Sequence, residues 1–336
     1  MKFSVGYSTG AKQNFIDGII ERKDSISEIY CSWADFPSGR NDQTAISGLT
    51  SWEAKEKQVA DLKKFAQNGL KLNLLFNANC YGKNAQSKSF FNSIGEVVDY
   101  AIENLNLTSI TTTSLFVAKF IKQNFDGIDV RASVNMGIGE INGFEYVKEY
   151  FDSFYAKREL NRDFEALNKI KSWCEANGKK IYLLANGGCL NHCSAHTFHD
   201  NLVAHEKEIS QMDNGYKFES VCGKYISNKD NWHVLLDGSS YIRPEDVHLY
   251  EGLVDSMKLA TRVHENPIRV IRAYIDNKKY SGNVLELLEP NHSGKIYPYV
   301  LDNGQIMAEV IDNKLKYTGE KAFVKLEECY VDKQND

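Results

Sequence analysis

Apolar and polar positions along the chain follow two rhythms that take turns. Short apolar runs, of the kind a buried parallel strand needs, are followed by amphipathic stretches with a 3.6-residue repeat. KFSVGY (2–7) and SEIYCSW (27–33) read as strands. SWEAKEKQVADLKKFAQNG (51–69) puts Val59, Leu62, Phe65 and Ala66 on one helical face and stops at Gly69. KLNLLFNAN (71–79) is the next buried-type strand. The pattern then predicts a helix over 93–104, a strand over 109–114, a helix over 115–125, a strand over 127–135 and a helix over 143–154. AKRELN (156–161) is a short, poor strand. RDFEALNKIKSWCEANG (162–178) predicts a helix stopped by Gly178, and KKIYLLANGG (179–188) a strong strand. After an irregular stretch, DSMKLAT (255–261) reads as the last strand, with a helix at 266–278.

About eight strands, most followed by a helix, argue for parallel strands joined by right-handed crossovers and fit a (β/α)₈ TIM-type barrel over residues 1–288. An open doubly wound sheet is the rival, but no glycine-rich dinucleotide fingerprint follows the first strand. Residues 289–336 differ. They carry strand-type alternation, with Asp302-Asn303-Gly304 suggesting a hairpin turn, and read as a β-rich appendage packed on the barrel.

Composition narrows the function classes. The chain is 42% hydrophobic and 25% charged, with a net charge of -5. It has no Lys/Arg block large enough to track nucleic acid, which disfavours RNA as a partner. No leader-like start and no apolar run of the roughly 18 residues needed to span a bilayer point to the cytosol, with no membrane association. There the odd set of seven cysteines does not make a disulfide framework, and grouped thiols read as ligands or redox groups.

The grouping lies in IYLLANGGCLNHCSAHTFHDN (181–201), chiefly its loop 186–201. Barrel chemistry sits at the C-terminal ends of the strands, so Cys189, just after Asn186-Gly187-Gly188, falls on the active face. The glycines permit a sharp turn and close backbone approach to a bulky group. Cys193 follows by about one helical turn, so both sulfurs can point to a common centre. Cys222, in FESVCGKYIS, precedes the last strand. Three thiolates suit a soft metal, either zinc or an iron–sulfur cluster. Spacing alone leaves open a reactive thiol or plain core cysteines. Among the histidines, His199 is the best candidate for acid–base work, beside Asp200 and Asn201. His196 also remains a candidate, whereas His192 reads as exposed. Cys174 reads as helix packing or partly exposed; Cys31 and Cys80, near early strand ends, read as buried structural thiols, with a place lining the barrel mouth as the alternative. Cys329 is either a fourth ligand folded over the mouth or an idle surface thiol.

Other groups belong to the same face. Lys258 inside an apolar strand is costly unless paired, so it is expected in the lumen near an acidic partner or an anionic substrate. Arg262 ends that strand. Lys258 and Arg262 are the expected catalytic cations beside His199. Asn77, Asn135 and Arg243 are the expected substrate contacts, and Asn161 can line the same pocket. Pro244 with Glu245 and Asp246 also reads as a helix start.

NGGCLNHCSAHTFHDN, then CGKYIS, then YIRPEDVHLYEGLVDSMKLATR resemble the collagenase-like unassigned peptidase family 32 (U32), in particular its short single-barrel members. NRDFEALNKIKSW (161–173) is similar to that family's helix before the cysteine loop. The resemblance is specific from 161 to 262 and diffuse before that. It implies a (β/α)₈-like barrel. For several members it implies a four-cysteine 4Fe–4S cluster supporting oxygen-independent hydroxylation, while others are credited with peptidase activity. On this resemblance Cys189, Cys193 and Cys222 match cluster-type cysteines, and His199 and Asn201 match polar loop positions. Ser194 stands for the usual Pro, His196 for the usual Arg, and Ala260-Thr261-Arg262 for a small-Gly-Arg ending. The fourth ligand stays open among Cys329, His199, an exogenous ligand and an open iron site.

The expected function is that of an iron–sulfur barrel enzyme carrying out an oxygen-independent redox or hydroxylation-type modification of a small or peptidic substrate. The alternatives are a peptidase, through a Cys189–His199 pair or zinc, and a non-catalytic metal-bearing subunit of a homo- or hetero-oligomer.

Overall fold

Eight short parallel strands close into a barrel in strict chain order. They are β1 (Phe3–Gly6), β2 (Ile26–Cys31), β3 (Leu72–Phe76), β4 (Leu107–Thr112), β5 (Asp129–Ala132), β6 (Ser153–Tyr155), β7 (Lys180–Leu184) and β8 (Ser256–Leu259). Closure is made by β8 on β1, with Phe3 opposite Met257, Ser4 opposite Lys258 and Val5 opposite Leu259. The expected TIM-type barrel is therefore present. This computed structural model describes residues 1–34, 36–40 and 50–327.

Helices α1 (Gln13–Glu21), α2 (Ser51–Gln67), α3 (Lys88–Asn104), α4 (Leu115–Asn124), α5 (Ile141–Val147) and α6 (Phe164–Ala176) follow the first six strands in turn. After β7 come α7 (His196–Ala204), α8 (Glu206–Ile209) and α9 (Val221–Ile226), and after β8 comes α10 (Pro267–Ile271). Local chemistry sets several ends. Thr50 and Glu53 form a capping box at the start of α2, and Asp163 caps α6 by accepting from the Ala166 amide. Gly69 and Gly178 take the left-handed conformation, with φ of 81° and 64°, just past those helices. None of the described helices is long and apolar enough to cross a membrane.

The period-2 alternation of each strand divides its side chains between two environments. Val5, Ile29, Leu74, Ile110, Val130, Phe154, Leu183 and Leu259 are buried in the main apolar core, between the strands and the helical layer. The lumen is polar instead. It holds Ser4, Glu28, Asn73, Ser109, Thr111, Arg131 and Ser153, joined by hydrogen bonds.

Two segments differ from expectation in kind, beyond shifts of element ends by a few residues. AKRELN is not a strand: β6 is Ser153–Tyr155, and residues 158–160 form a 3₁₀ turn. Tyr150, Phe151 and Phe154 recur at helical spacing and imitate an amphipathic stripe running on from α5. Phe154 instead packs edge-on against Phe144, Phe151 and Trp173 from a strand. The second difference is in the tail. Asp302-Asn303-Gly304 begins a 3₁₀ turn, with the Asp302 carboxylate accepting from the Gly304 amide. The hairpin lies further on, between β10 (Met307–Ile311) and β11 (Lys314–Thr318). Its turn residues Asp312 and Asn313 both have positive φ, 51° and 59°, as a type I′ turn requires. A second antiparallel pair joins β9 (Tyr299–Leu301) to β12 (Phe323–Lys325).

The hairpin is tied to the barrel through backbone and side chain. The Leu315 amide donates to the Arg162 carbonyl at 2.8 Å, and the Arg162 guanidinium stacks 4.5 Å from the centre of the Tyr317 ring. The Tyr317 hydroxyl accepts from the Arg243 amide at 3.0 Å and donates to Asp246 at 2.9 Å.

Candidate functional site

The floor of the site is the polar lumen. Glu28 receives Arg131 Nη1 at 2.6 Å and Ser4, Asn73 and Ser109 at 2.9 Å each. Burial pushes its carboxyl upward, but the Arg131 charge and these hydrogen bonds outweigh that and hold it below the usual range. Above this floor stand the rings of Tyr30, Tyr155 and Tyr182. The Arg131 guanidinium lies 3.9 Å from the centre of the Tyr182 ring.

Lys258 comes next, pointing inward from β8 as expected. It is 9% exposed, and its Nζ sits 3.9 Å from the centre of the Tyr30 ring and 5.5 Å from that of Tyr155. Aromatic faces thus contact the amine directly, and Glu28 is the acidic neighbour near enough to favour the charged amine. Burial, and then the neighbouring Arg262 charge, push its pKa down to about 7.

Lys258 opens into a narrow cavity of about 70 Å³ at the C-terminal ends of the strands. Its wall carries Arg40, Arg158, Arg262 and Cys189, with Glu289 as the acidic side chain among the described lining residues. Asn77 and Asn135 line it as well, and each has a holding role. Asn77 Oδ1 accepts from the Gly39 amide at 3.0 Å, and Asn135 Oδ1 accepts from Arg158 Nη2 at 2.8 Å. Arg262 reaches Ser38 Oγ at 3.2 Å and the Arg40 carbonyl at 2.9 Å, closing residues 38–40 over the mouth. Arg158 Nη1 donates to Nε2 of His196 at 2.7 Å, and Asp200 lies 3.4 Å from the same nitrogen. Burial, and then the Arg158 charge, depress the proton affinity of His196. It is therefore His196, not His199, that contacts a mouth arginine.

The cysteine loop follows β7, as expected, but its path differs. Residues 189–195 are not helical, so Cys189 and Cys193 are not stacked by a helical turn; α7 begins only at His196, and His192 has φ of 57°. The close approach at Gly188 is to backbone: its amide donates to the Glu289 carbonyl at 2.8 Å, and a Cβ there would collide with the Pro290 carbonyl oxygen. Asn186 locks the strand end, accepting from the Ala260 amide at 2.6 Å and donating to the Leu287 carbonyl at 2.7 Å.

Cys189, Cys193 and Cys222 are all free and half-buried. Cys222 is the second residue of α9, with its Sγ 3.1 Å from Ser220 Oγ. Burial pushes the Cys189 thiol up; Arg158 and Arg40 oppose this, and Cys222 is near enough to add to it. The donor type thus suits a soft metal. Among the described residues, however, no three His, Cys, Asp or Glu side chains are gathered to hold a metal ion. Cys329 lies outside the described residues.

Three expected site residues lie elsewhere. His199 stacks on Phe218 at 4.8 Å rather than lining the mouth. Arg243 does not line the mouth cavity: it pairs with Asp246 at 2.7 Å and donates to the Ile306 carbonyl at 2.9 Å, clamping the tail. Asn161 is buried, its amide holding the Leu184 and Ser240 carbonyls. The residues missed from sequence are Glu28, Arg131, Arg40 and Arg158. Glu28 and Arg131 had a legible signal, a charge on an inward strand position like that of Lys258. Arg158 was hidden in the segment misread as a strand.

No family model matches the chain. Among curated proteins it is 27% identical over 305 residues to the uncharacterized protease MJ1657 of Methanocaldococcus jannaschii, covering 88% of this chain and 83% of that one. Among solved structures it resembles the U32 peptidase Mk0906, with a TM-score of 0.54 over 77% of this chain and 91% of that one. Sequence identity there is 12%, so this is a likeness of fold.

Proposed function

We propose that this chain, a U32-type barrel, is an enzyme whose mouth takes a small substrate, or the end of a peptide, bearing a carboxylate or another compact anion. The observation that carries this is the buried Lys258 amine among Arg40, Arg158 and Arg262 in one narrow cavity. Cations crowded into low dielectric repel one another, and an anion is the natural complement. An amine with a pKa of about 7 is partly unprotonated at neutral pH. It can then take a proton from the substrate or add to its carbonyl carbon. Arg158, steadied by Asn135, and Arg262, steadied by Ser38, would orient the anion. The cavity volume, about 70 Å³, suits a group the size of a carboxylate rather than a whole peptide.

Glyoxylate, a small anionic aldehyde, tests this reading. Treated with glyoxylate and cyanoborohydride at pH 7, the protein is expected to be modified first at Lys258, with protection by sulfate. Labelling spread evenly over surface lysines, or unaffected by sulfate, would remove the reading.

A second reading concerns the thiols. Three free, half-buried thiols, Cys189 in the wall of the mouth, Cys193 in the same loop and Cys222 in α9, favour a soft metal centre, zinc or a 4Fe–4S cluster. A cluster would supply electron transfer for an oxygen-independent oxidation or hydroxylation. Since the described residues do not gather three such donors, no step is derived through it. Iron, zinc and acid-labile sulfide are to be measured on protein purified without oxygen. About four irons and four sulfides per chain, lost in both Cys189→Ala and Cys222→Ala, support the cluster. Metal-free protein, or metal retained in both variants, excludes these ligands.

A further inference from the structure

A thiol, an imidazole and a carboxylate line one cavity at a second place on the same end of the barrel. Cys80 lies in the loop after β3, half-buried rather than the structural core thiol expected from sequence. The Gly82 amide donates to its Sγ at 3.4 Å. His205, between α7 and α8, lines the same cavity, its Cε1 within 3.5 Å of where a Cβ on Gly82 would stand. Its Nδ1 lies 2.9 Å from Oε2 of Glu208, one turn further along. All three line a cavity of about 330 Å³, which reaches the size range of small-ligand sites. Phe36, Pro37, Tyr81 and Val203 give it an apolar wall, and Asn84 and Gln211 bring carboxamides to it.

We propose that Cys80, His205 and Glu208 form a second, thiol-based site that cleaves esters or amides, including peptide bonds, whose acyl part is apolar. His205 takes the Cys80 proton as the sulfur attacks the acyl carbon. The carbon–sulfur bond forms, and the bond to the leaving alcohol or amine breaks, that group departing with the proton held by His205. Water, giving its proton to His205, then hydrolyses the thioester and restores the thiol. Only water is consumed. Glu208 positions the ring and stabilises its charged form, and the Asn84 and Gln211 carboxamides are the donors available to the carbonyl oxygen.

The electrostatics agree with this geometry. His205 and the Gly82 amide hold the thiol below its usual range, against burial and the Glu208 charge. Cys80 and Glu208 raise the proton affinity of His205. Lys207 is the further charged group lining the cavity. Residues 36–40 separate the two sites, with Phe36, Pro37 and Ser38 on this cavity and Gly39 and Arg40 on the mouth. The inference therefore holds or fails independently of the reading of the mouth. It also moves the thiol–imidazole pair away from Cys189 and His199.

The test uses the full chain with p-nitrophenyl butyrate, followed by acid quench and peptide mass spectrometry. A burst of p-nitrophenolate and a butyryl group on Cys80 are expected, both lost in Cys80→Ser. In His205→Asn the burst rate should fall by about 100-fold, and the pH midpoint of iodoacetamide alkylation at Cys80 should rise. Glu208→Gln, a milder change, should slow the burst by about tenfold. Thermal midpoints matching wild type certify folding, and labelling of the wild type needs no variant. A butyryl group found elsewhere, no acyl adduct at all, or an alkylation profile unchanged in His205→Asn would each overturn the site.

Discussion

Arg131 reaches across the barrel interior to Glu28, Nη1 to Oε1 at 2.6 Å, with the two side chains only 3% and 7% exposed. A buried pair of this kind adds little net stability over an apolar core, but breaking it strands a charge. Glu28→Ala should therefore destabilise by about 3–5 kcal/mol in chemical denaturation. A loss below about 1 kcal/mol would show that the lumen network does not depend on the pair. The pH effect has a definite sign. The folded carboxyl binds its proton more weakly than the unfolded one, so its contribution is complete above the usual carboxylate range and is lost on acidification. Glu28→Gln should unfold with a shallower acid dependence than wild type.

Lys258 carries the opposite signature. Its pKa is about 7 in the fold and returns toward about 10.4 in an unfolded chain. Between those values the unfolded state binds more protons, so stability rises with pH across that window. Denaturation of wild type against Lys258→Met from pH 6 to 10 should show wild type gaining on the variant as pH increases, by up to a few kcal/mol. Parallel curves would mean that the amine is not depressed.

His196 reports on the mouth. Arg158 Nη1 is 2.7 Å from its Nε2 and lowers its proton affinity, after burial. In Arg158→Ala that cation is gone while Asp200 remains, so the His196 titration followed by NMR should move up. Sulfate protection of Lys258 should weaken about tenfold in the same variant. An unmoved His196 would place Arg158 outside its field.

Gly188 tests the seat of the cysteine loop. A Cβ there meets the Pro290 carbonyl oxygen, a backbone atom that cannot swing away. Gly188→Ala should cost about 1–3 kcal/mol and speed alkylation of Cys189 as the loop lifts. A thermal midpoint unchanged from wild type would show that the loop tolerates displacement.

Much of the fold was legible because periodicity records how each segment is buried. The stripes of α2 and α6, the stops at Gly69 and Gly178, and the apolar run of β7 come from local geometry and burial on one element. They were enough for the barrel, for an inward Lys258 and for Cys189 at a strand end. Local pattern misled where two periods fit the same residues, as with Tyr150, Phe151 and Phe154, and where two turn-like triplets competed in the tail.

What the sequence by itself determined was the order of strands and helices and the end of the barrel that carries the chemistry. Tertiary structure alone decided the partners. Closure of β8 on β1 brings Arg262 to Ser38, and α8 carries Glu208 and its neighbour His205 to Cys80, 125 positions earlier in the chain. Arg243 became a clamp because the tail returned to it, and Arg158 came to the mouth because β6 ended earlier than its pattern implied. Hydrogen bonds and charge pairing act over a few ångströms of space, and distance along the chain does not measure that.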